Sequence, residues 1–424
     1  VASDGVTLQQ QPAGGGDEVR IVSDAIDFGV SGGKRLERAT TLGKAQVEVI
    51  SHAGASANMR TVATAEHFDA AFDRNNRLSR VIGMPQAKVV SSAPGQPDKT
   101  STSDRMEATF NPTGGVAALL QTGNFHYQEP ATATAMAREV WAQQARYSPS
   151  TSLLQLSGSP RVVEGGMTAT ANSMTLNRRS GQAQASGEVK TTYSEMKPQP
   201  GGALLATSDP IHVTAAAMQL QQAGGMAAFS GGARLWQGAN IVEAPEIDFD
   251  RNQRTIVAGG AQRGARQVTT VFTETDKSGK TTPLSVVAAK LTYSDGQRQA
   301  HFSGGVTVRG ADATIAAEQM DVFLQPRGQS QNGPNSTAGG PSQVDRVVAS
   351  GNVIVQQAKR RATGQQLSYL VAEAKFTLTG GTPSIFDAER GKITGDSLTF
   401  YTHDDRVLVE GKSSPTVTQT RVAK

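Results

Sequence analysis

Ala300-His-Phe-Ser-Gly-Gly-Val-Thr-Val-Arg309 places Ala300, Phe302, Gly304, Val306 and Val308 at every second position, with polar residues in most of the gaps. Side chains of a strand alternate between its two faces, so the stretch reads as a half-buried β-strand. Just upstream, Val286 and Ala288 keep one phase of alternation and Leu291 and Tyr293 keep the other. A one-residue slip turns the apolar set to the opposite face unless a bulge or sharp corner absorbs it.

The slipped pattern is apolar or small at i, small at i+2, apolar at i+5 and bulky at i+7, and it recurs along the chain. Clear copies are Val213/Ala215/Met218/Leu220, Val242/Ala244/Ile247/Phe249, Val286/Ala288/Leu291/Tyr293, Ile315/Ala317/Met320/Val322, Ala362/Gly364/Leu367/Tyr369 and Ile393/Gly395/Leu398/Phe400. Fainter copies begin at Ile21, Ala63, Ser101, Val140 and Ala169. From Val140 the starts lie 29, 44, 29, 44, 29, 47 and 31 residues apart, so short and long connections alternate.

Polar turns follow the copies, such as Asp250-Arg-Asn-Gln253 and Ser294-Asp-Gly-Gln297. Next comes a strand carrying glycine: Ala258-Gly-Gly260, Phe302-Ser-Gly304, Ala349-Ser-Gly351, Leu378-Thr-Gly380 or Val409-Glu-Gly411. Each unit therefore reads as a β-hairpin. Glycine weakens a strand interior, and its return at one place signals a bend, a bulge or close backbone approach. The polar stretches Ser91–Asp104, Ser194–Asp209, Thr273–Pro283 and Pro326–Ser342 read as loops, because the repeat resumes after each of them. Ala135–Arg146 could present a helical face through Met136, Val140, Trp141 and Ala145. The turn Ser148-Pro-Ser-Thr151 follows in the repeat's register and favours a strand instead.

The expected fold is all-β. About eleven hairpins, each with one apolar face, must stack into a sandwich, a jelly roll or a solenoid. A parallel β-helix is the obvious rival to stacked antiparallel hairpins. A boundary near Ser208 divides the fainter repeats, residues 1–208, from the clearer ones, residues 209–424.

Composition excludes several functions. Among 424 residues there is no Cys, hence no disulfide framework, thiolate nucleophile or cysteine metal site. The net charge of +4, from 41 Lys+Arg against 37 Asp+Glu, is too small an excess to specify a polyanion partner. No run of 18 apolar residues could cross a bilayer as a helix. The start at Val1 followed by a glycine-rich stretch suggests a trimmed N-terminus. Aromatic residues make up only 5% of the chain, and the inward positions are rich in Ala, Gly, Val and Met. Small facing side chains leave a groove unless the sheets approach closely, and an apolar groove suits alkyl chains. The two end strands of an open array carry unpaired backbone groups, and neither Arg406–Gly411 nor Pro415–Val422 shows a blocking feature, so end-to-end association is expected.

The segments Ala244–Gly259, Arg361–Tyr369 with Lys375–Gly380, and Ile393–Phe400 with Val407–Gly411 resemble the OstA-like repeats of lipopolysaccharide-transport proteins, the last pair resembling the repeat that often closes such a domain. The resemblance is strongest from about Ile211 onward. It implies an elongated open β-jelly roll, a twisted antiparallel two-sheet sandwich, and a non-enzymatic periplasmic bridge of such rolls joined edge to edge, carrying lipopolysaccharide acyl chains in its interior from the inner to the outer membrane. The implied ligand is lipopolysaccharide or lipid A, and the implied partners are other jelly-roll proteins of the bridge or further copies of this chain. Lipid-facing candidates are Ile247, Phe249, Leu291, Tyr293, Phe302, Val306, Met320, Val322, Leu367, Tyr369, Phe376, Leu398 and Phe400, with Lys359, Arg360 and Arg361 as head-group candidates.

Catalytic and metal chemistry find little support. His52, His67, His126, His212, His301 and His403 are scattered singly, and His403-Asp-Asp405 reads as a polar turn. Lys277-Ser-Gly-Lys-Thr-Thr282 lacks the first glycine of a phosphate-binding loop, and Gly259–Gly264 lacks a strand-to-helix setting. Asp248 and Asp250 are the best pair for a polysaccharide hydrolase or lyase, yet read as residues beside a turn. Trp141 and Trp236 read as sandwich filler or ligand contacts, and basic residues are not interleaved with aromatics as a nucleic-acid site requires. No cofactor and no metal is expected.

Overall fold

The computed structural model describes residues 1–10, 17–51, 59–112, 115–133, 135–194, 201–205, 209–221, 225–260, 267–275, 281–326, 344–389, 391–401, 406–411 and 416–419. Among them every regular element is a β-strand. The chain divides into two compact units, Val1–Thr191 and Thr192–Lys424. The boundary expected at Ser208 lies outside the described residues.

Every copy of the repeat turns a corner in its middle, either as one bent strand or, as at Val286 and Ile393, as two strands separated by one or two residues, and the corner is why two sheets form. In the second unit, Ile211–Gln221, Met226–Gln237, Asn240–Asp250, Gln299–Arg309, Thr314–Leu324, Val344–Gln356 and Arg360–Leu370 each give one half to either sheet. The first halves of the copies, continued by Val268–Thr275, Thr281–Ala288, Ser384–Asp387 and Gly391–Thr394, make the first sheet. The second halves, with Thr255–Gly259, Lys290–Ser294, Lys375–Thr379 and Ser397–Tyr401, make the second. These pairings are antiparallel hairpin contacts, which rules out the parallel β-helix. The first unit repeats the plan: Arg35–Ile50 pairs through Ala45–Ile50 with Arg60–Ala65 and through Arg38–Thr40 with His67–Phe72.

At each corner the bend is a bulge. In Gln299–Arg309 the register against Thr314–Leu324 shifts between Ser303 and Val306, and Gly304 and Gly305 stand at φ 84° and 81°. Left-handed backbone is nearly free of cost only for glycine, and two successive such residues swing the strand from one sheet into the other. Gly304 does not take the inward place that strict alternation gave it: both glycines are exposed, and the bulge brings Val306 back to the interior. A Cβ on Gly304 would lie 2.7 Å from the Cβ of Ala289, the residue just after the small i+2 position of its neighbour. That corner position carries Asp24, Asp104 and Glu318 in other copies, where it caps the bulge: the Lys44 amide donates to Asp24 Oδ2 at 3.1 Å, and Asn352 Nδ2 donates to Glu318 Oε1 at 2.7 Å.

One sequence reading holds and another changes. Arg138–Ser148 is a strand, because Val140, Ala142 and Ala145 follow the slipped pattern into the core. The stretch Thr273–Pro283 is mostly strand, with Val268–Thr275 and Thr281–Ala288 paired through Phe272 and Leu284. This extra hairpin in the first sheet fills the 44-residue spacing between the copies at Val242 and Val286. Of the remaining sequence features, His52, His403 to Asp405, Lys277 to Lys280, residues 261–266 and most of Pro326–Ser342 lie outside the described residues.

Candidate functional site

Cross-strand register builds the interior of the second unit. Met218, Phe229, Ile247, Ala258, Leu291, Phe302, Met320, Ala349, Leu367, Leu378 and Leu398 form one continuous inward row of the second sheet, linked pair by pair. Phe249, Ile256, Tyr293, Ala300, Val322, Val347, Tyr369, Phe376 and Phe400 form the next. All but one of the lipid-facing candidates lie in these two rows, although they come from five copies and their return strands spread over more than 150 residues. Val306 lies beyond the bulge, on the inner face of the first sheet. Twelve of the thirteen are buried, and Tyr369 is half-buried. Fully burying such a side chain contributes about 1.5–3 kcal/mol.

The two inner faces meet. Phe272 of the first sheet stands edge-on to Phe302 of the second, with ring centroids 6.3 Å apart. Toward the C-terminal end Tyr369, Phe376 and Phe400 stack at 4.2 and 5.1 Å. The closing strand Val407–Glu410 continues the inward rows with Val407 and Val409, which are only half-buried. Among the described residues Val407–Glu410 pairs only with Ser397–Tyr401, and Val417–Gln419 only with Gly391–Thr394, so each is an edge. The interior is thus an apolar strip, closed by contact along its length and thinning toward an edge.

The basic cluster at the turn Lys359–Arg361 divides by environment. Lys359 Nζ lies 2.8 Å from Glu389 in solvent, and Arg360 Nε lies 2.9 Å from Asp387 Oδ2 with both side chains largely covered. Arg361 is exposed on the outer face of the first sheet. Head-group contact would therefore fall first to Arg361.

Other sequence candidates have structural work. Trp141 and Trp236 are on outer faces, since Val140 and Ala142, and likewise Leu235 and Gln237, take the inward positions; neither is sandwich filler. His126 stacks on Trp141 at 5.0 Å and His212 on Trp236 at 5.2 Å. His301 pairs with Asp321 at 2.8 Å across two strands. Asp250 Oδ1 accepts the amides of Asn252 and Gln253, holding the turn. A cleft of about 640 Å³ lies on the outer side near the corners, lined among others by Gly232, Glu243, Pro245, Thr307 and Arg309.

Sequence reasoning missed three contributors to the interior. Phe229 and Phe272 are wholly buried, and the alternation Val268/Thr270/Phe272 was the available signal. The segment Gly201–Leu205 was counted with a polar loop, although Ala203-Leu-Leu205 is its one apolar run.

The match to known proteins falls on this same region. Residues 285–406 match the family model of the LptA/(LptD N-terminal domain) LPS transport protein. This stretch is similar to the LptA/(LptD N-terminal domain) family of LPS transport proteins. It spans the four copies beginning at Val286, Ile315, Ala362 and Ile393, and it contains the stacked rings Tyr369, Phe376 and Phe400. No curated protein matches the chain. The matched stretch includes the OstA-like segments Arg361–Tyr369, Lys375–Gly380 and Ile393–Phe400, while Ala244–Gly259 precedes it.

Proposed function

We propose that this chain is a non-enzymatic periplasmic conduit that shields lipopolysaccharide acyl chains on their way from the inner to the outer membrane. The observation that carries the reading is the pair of unbroken apolar rows in the second unit, whose later part lies in the stretch similar to the LPS-transport family and which ends at strands with one neighbour each among the described residues. Acyl chains gain about 0.8 kcal/mol per buried CH2, so a strip that offers apolar contact at every rung lets a lipid slide without a deep trap. Phe272 of one sheet meets Phe302 of the other, so the sheets must part there for an acyl chain to lie between them. Of the basic cluster, Arg361 is the exposed member on the outer face and would be the one to meet phosphate groups, since Arg360 is covered and paired with Asp387. The edges Val407–Glu410 and Val417–Gln419 would accept a strand from another jelly roll or a second copy.

A photo-crosslinking amino acid at the position of Phe302 or Phe400 should capture lipopolysaccharide, and the same group at Arg309 should capture much less. Equal labelling at all three positions, or no lipid enriched in folded protein drawn from its native envelope, would overturn the reading.

A further inference from the structure

One side of the second unit's sandwich is closed by its corners; the opposite side, where the hairpin turns lie, is crossed by a piece of chain that belongs to neither sheet. Gly201–Leu205 has no strand pairing, yet Ala203, Leu204 and Leu205 are buried to 0–3% exposure. It is tied to two turns of the second sheet. The amides of Ala203 and Leu205 donate to Asp295 Oδ1 at 3.0 and 2.9 Å, and the Leu204 amide donates to the Tyr293 hydroxyl at 2.7 Å. That hydroxyl donates to the same Asp295 oxygen at 2.6 Å. Arg254 donates to the Leu205 carbonyl at 2.8 Å and Arg298 to the Gly201 carbonyl at 3.0 Å. A few residues on, the chain reaches the other sheet, where Gln237 Nε2 donates to the Asp209 carbonyl at 2.7 Å.

We propose that Gly201–Leu205 is an internal strap that occupies the place of a lipid chain along the turn side and must leave for the interior to load. The inference rests on the conduit reading and adds how that conduit is kept shut when empty. Three features argue for a displaceable strap rather than ordinary core. Among the described residues its hydrogen bonds to the sheets run to side chains and not through a ladder, so it can leave without breaking either sheet. Tyr293 belongs to the inward row, so the strap covers a rung that acyl chains would touch. Asp295 is wholly buried and its Oδ2 has no partner among the described residues, so the strap's two amides are a large part of what compensates that carboxylate. A buried carboxylate that loses such donors is better placed in water, so departure of the strap and wetting of this side belong to one event.

Hydrogen exchange of the unaltered full chain, with and without added lipopolysaccharide, tests this directly. The amides of Ala203, Leu204 and Leu205 should exchange at least about tenfold faster once lipid is captured at Phe302, a factor equivalent to about 1.4 kcal/mol. Unchanged protection of those amides alongside lipid capture would overturn the strap and leave the conduit standing. Absence of lipid capture under every condition would overturn the conduit, and the strap with it. A second arm uses the cysteine-free background. In the double variant Ala203→Cys with Asp295→Cys, oxidation should cut lipid capture about tenfold and reduction should restore it. Equal capture in both redox states, with the disulfide verified by mass, would overturn the strap.

Discussion

The two units share one repeat and differ in what fills it. In the first unit the large side chains that are wholly buried include a single aromatic ring, Phe68; in the second they include Tyr293, Phe229, Phe249, Phe272, Phe302, Phe376 and Phe400. The first unit's interior is also crossed by polar groups. Gln121 is buried, accepts from Ser101 Oγ at 2.8 Å and donates to Ser103 Oγ at 3.1 Å, tying one sheet to the other. Its strands are further clasped at the side by Arg138, which meets Glu164 at 3.0 Å, and by Lys99, which meets Glu129 at 2.5 Å. The same slipped pattern therefore dictates the same bent hairpins, while side-chain size and polarity on the inward rows decide what holds the sheets together. Along the inward rows of the second unit, contacts without direction join the faces and can be exchanged for contacts to lipid, its directed hydrogen bonds being gathered at the turn side around Asp295; the hydrogen bonds of Gln121 inside the first unit cannot be exchanged in that way.

The comparison is most easily broken at Phe302. Phe302→Ala should cost the second unit about 3–5 kcal/mol, because it leaves a cavity where Phe272 meets it. Urea unfolding followed by hydrogen exchange of the rows around Leu291 and Met320 would show it, and a loss under about 1 kcal/mol would mean that the aromatic contacts do not hold the sheets. The corner comes next. Gly304→Val combines left-handed strain with a clash against Ala289 and should cost about 2–3 kcal/mol, whereas Gly305→Ala, with nothing within 4 Å, should cost about 1 kcal/mol from strain alone. Equal losses in thermal melts would remove close approach as the reason for glycine there.

Gln121→Met should cost the first unit about 1–2 kcal/mol by leaving the Ser101 hydroxyl without its acceptor, although methionine matches the volume and Ser103 Oγ still donates to the Arg105 carbonyl. An unchanged denaturation midpoint would show that the bridge across the sheets is not needed. The effect of acid is smaller. Burial pushes the Glu129 carboxyl up, but the hydrogen bond and charge of Lys99, the Tyr127 hydroxyl and the charge of Arg138 outweigh it and hold that group below the ordinary carboxylate range. Its contribution is therefore present above about pH 4.3, the value in an unfolded chain, and is lost as pH falls through the lower folded value. Glu129→Gln should flatten that part of the first unit's stability profile, and an unaltered profile would assign the acid sensitivity to other groups. Lys359→Ala, which removes an exposed pair, should change stability by no more than about 0.5 kcal/mol.

Much of this was readable before any coordinates. The slip between Ala288 and Leu291 announced a corner, and the turns at Asp250–Gln253 and Ser294–Gln297 stand where polar residues interrupt the alternation. The inward residues followed from parity, which is why even the faint copies at Ala63 and Ser101 are buried. Where parity was applied without the bulge it failed, as at Gly304, and where composition was used in its place it failed at Trp141 and Trp236, whose rings cover the outside. Thr273–Pro283 was misread because threonine and lysine near a glycine imitate a loop, while the pairing of Phe272 with Leu284 is a contact between strands that local sequence does not display.

The amino-acid sequence by itself determined the repeat, the antiparallel hairpins and the inward rows, because side-chain alternation is a property of each strand alone. Only the tertiary structure decided which residues of distant copies became neighbours, that Phe272 faces Phe302, and that Gly201–Leu205 enters the interior beneath Asp295. Those outcomes depend on how two sheets close over each other. Closure is set by the sum of many side-chain volumes and by where buried polar groups find partners, and no single stretch of chain carries that information.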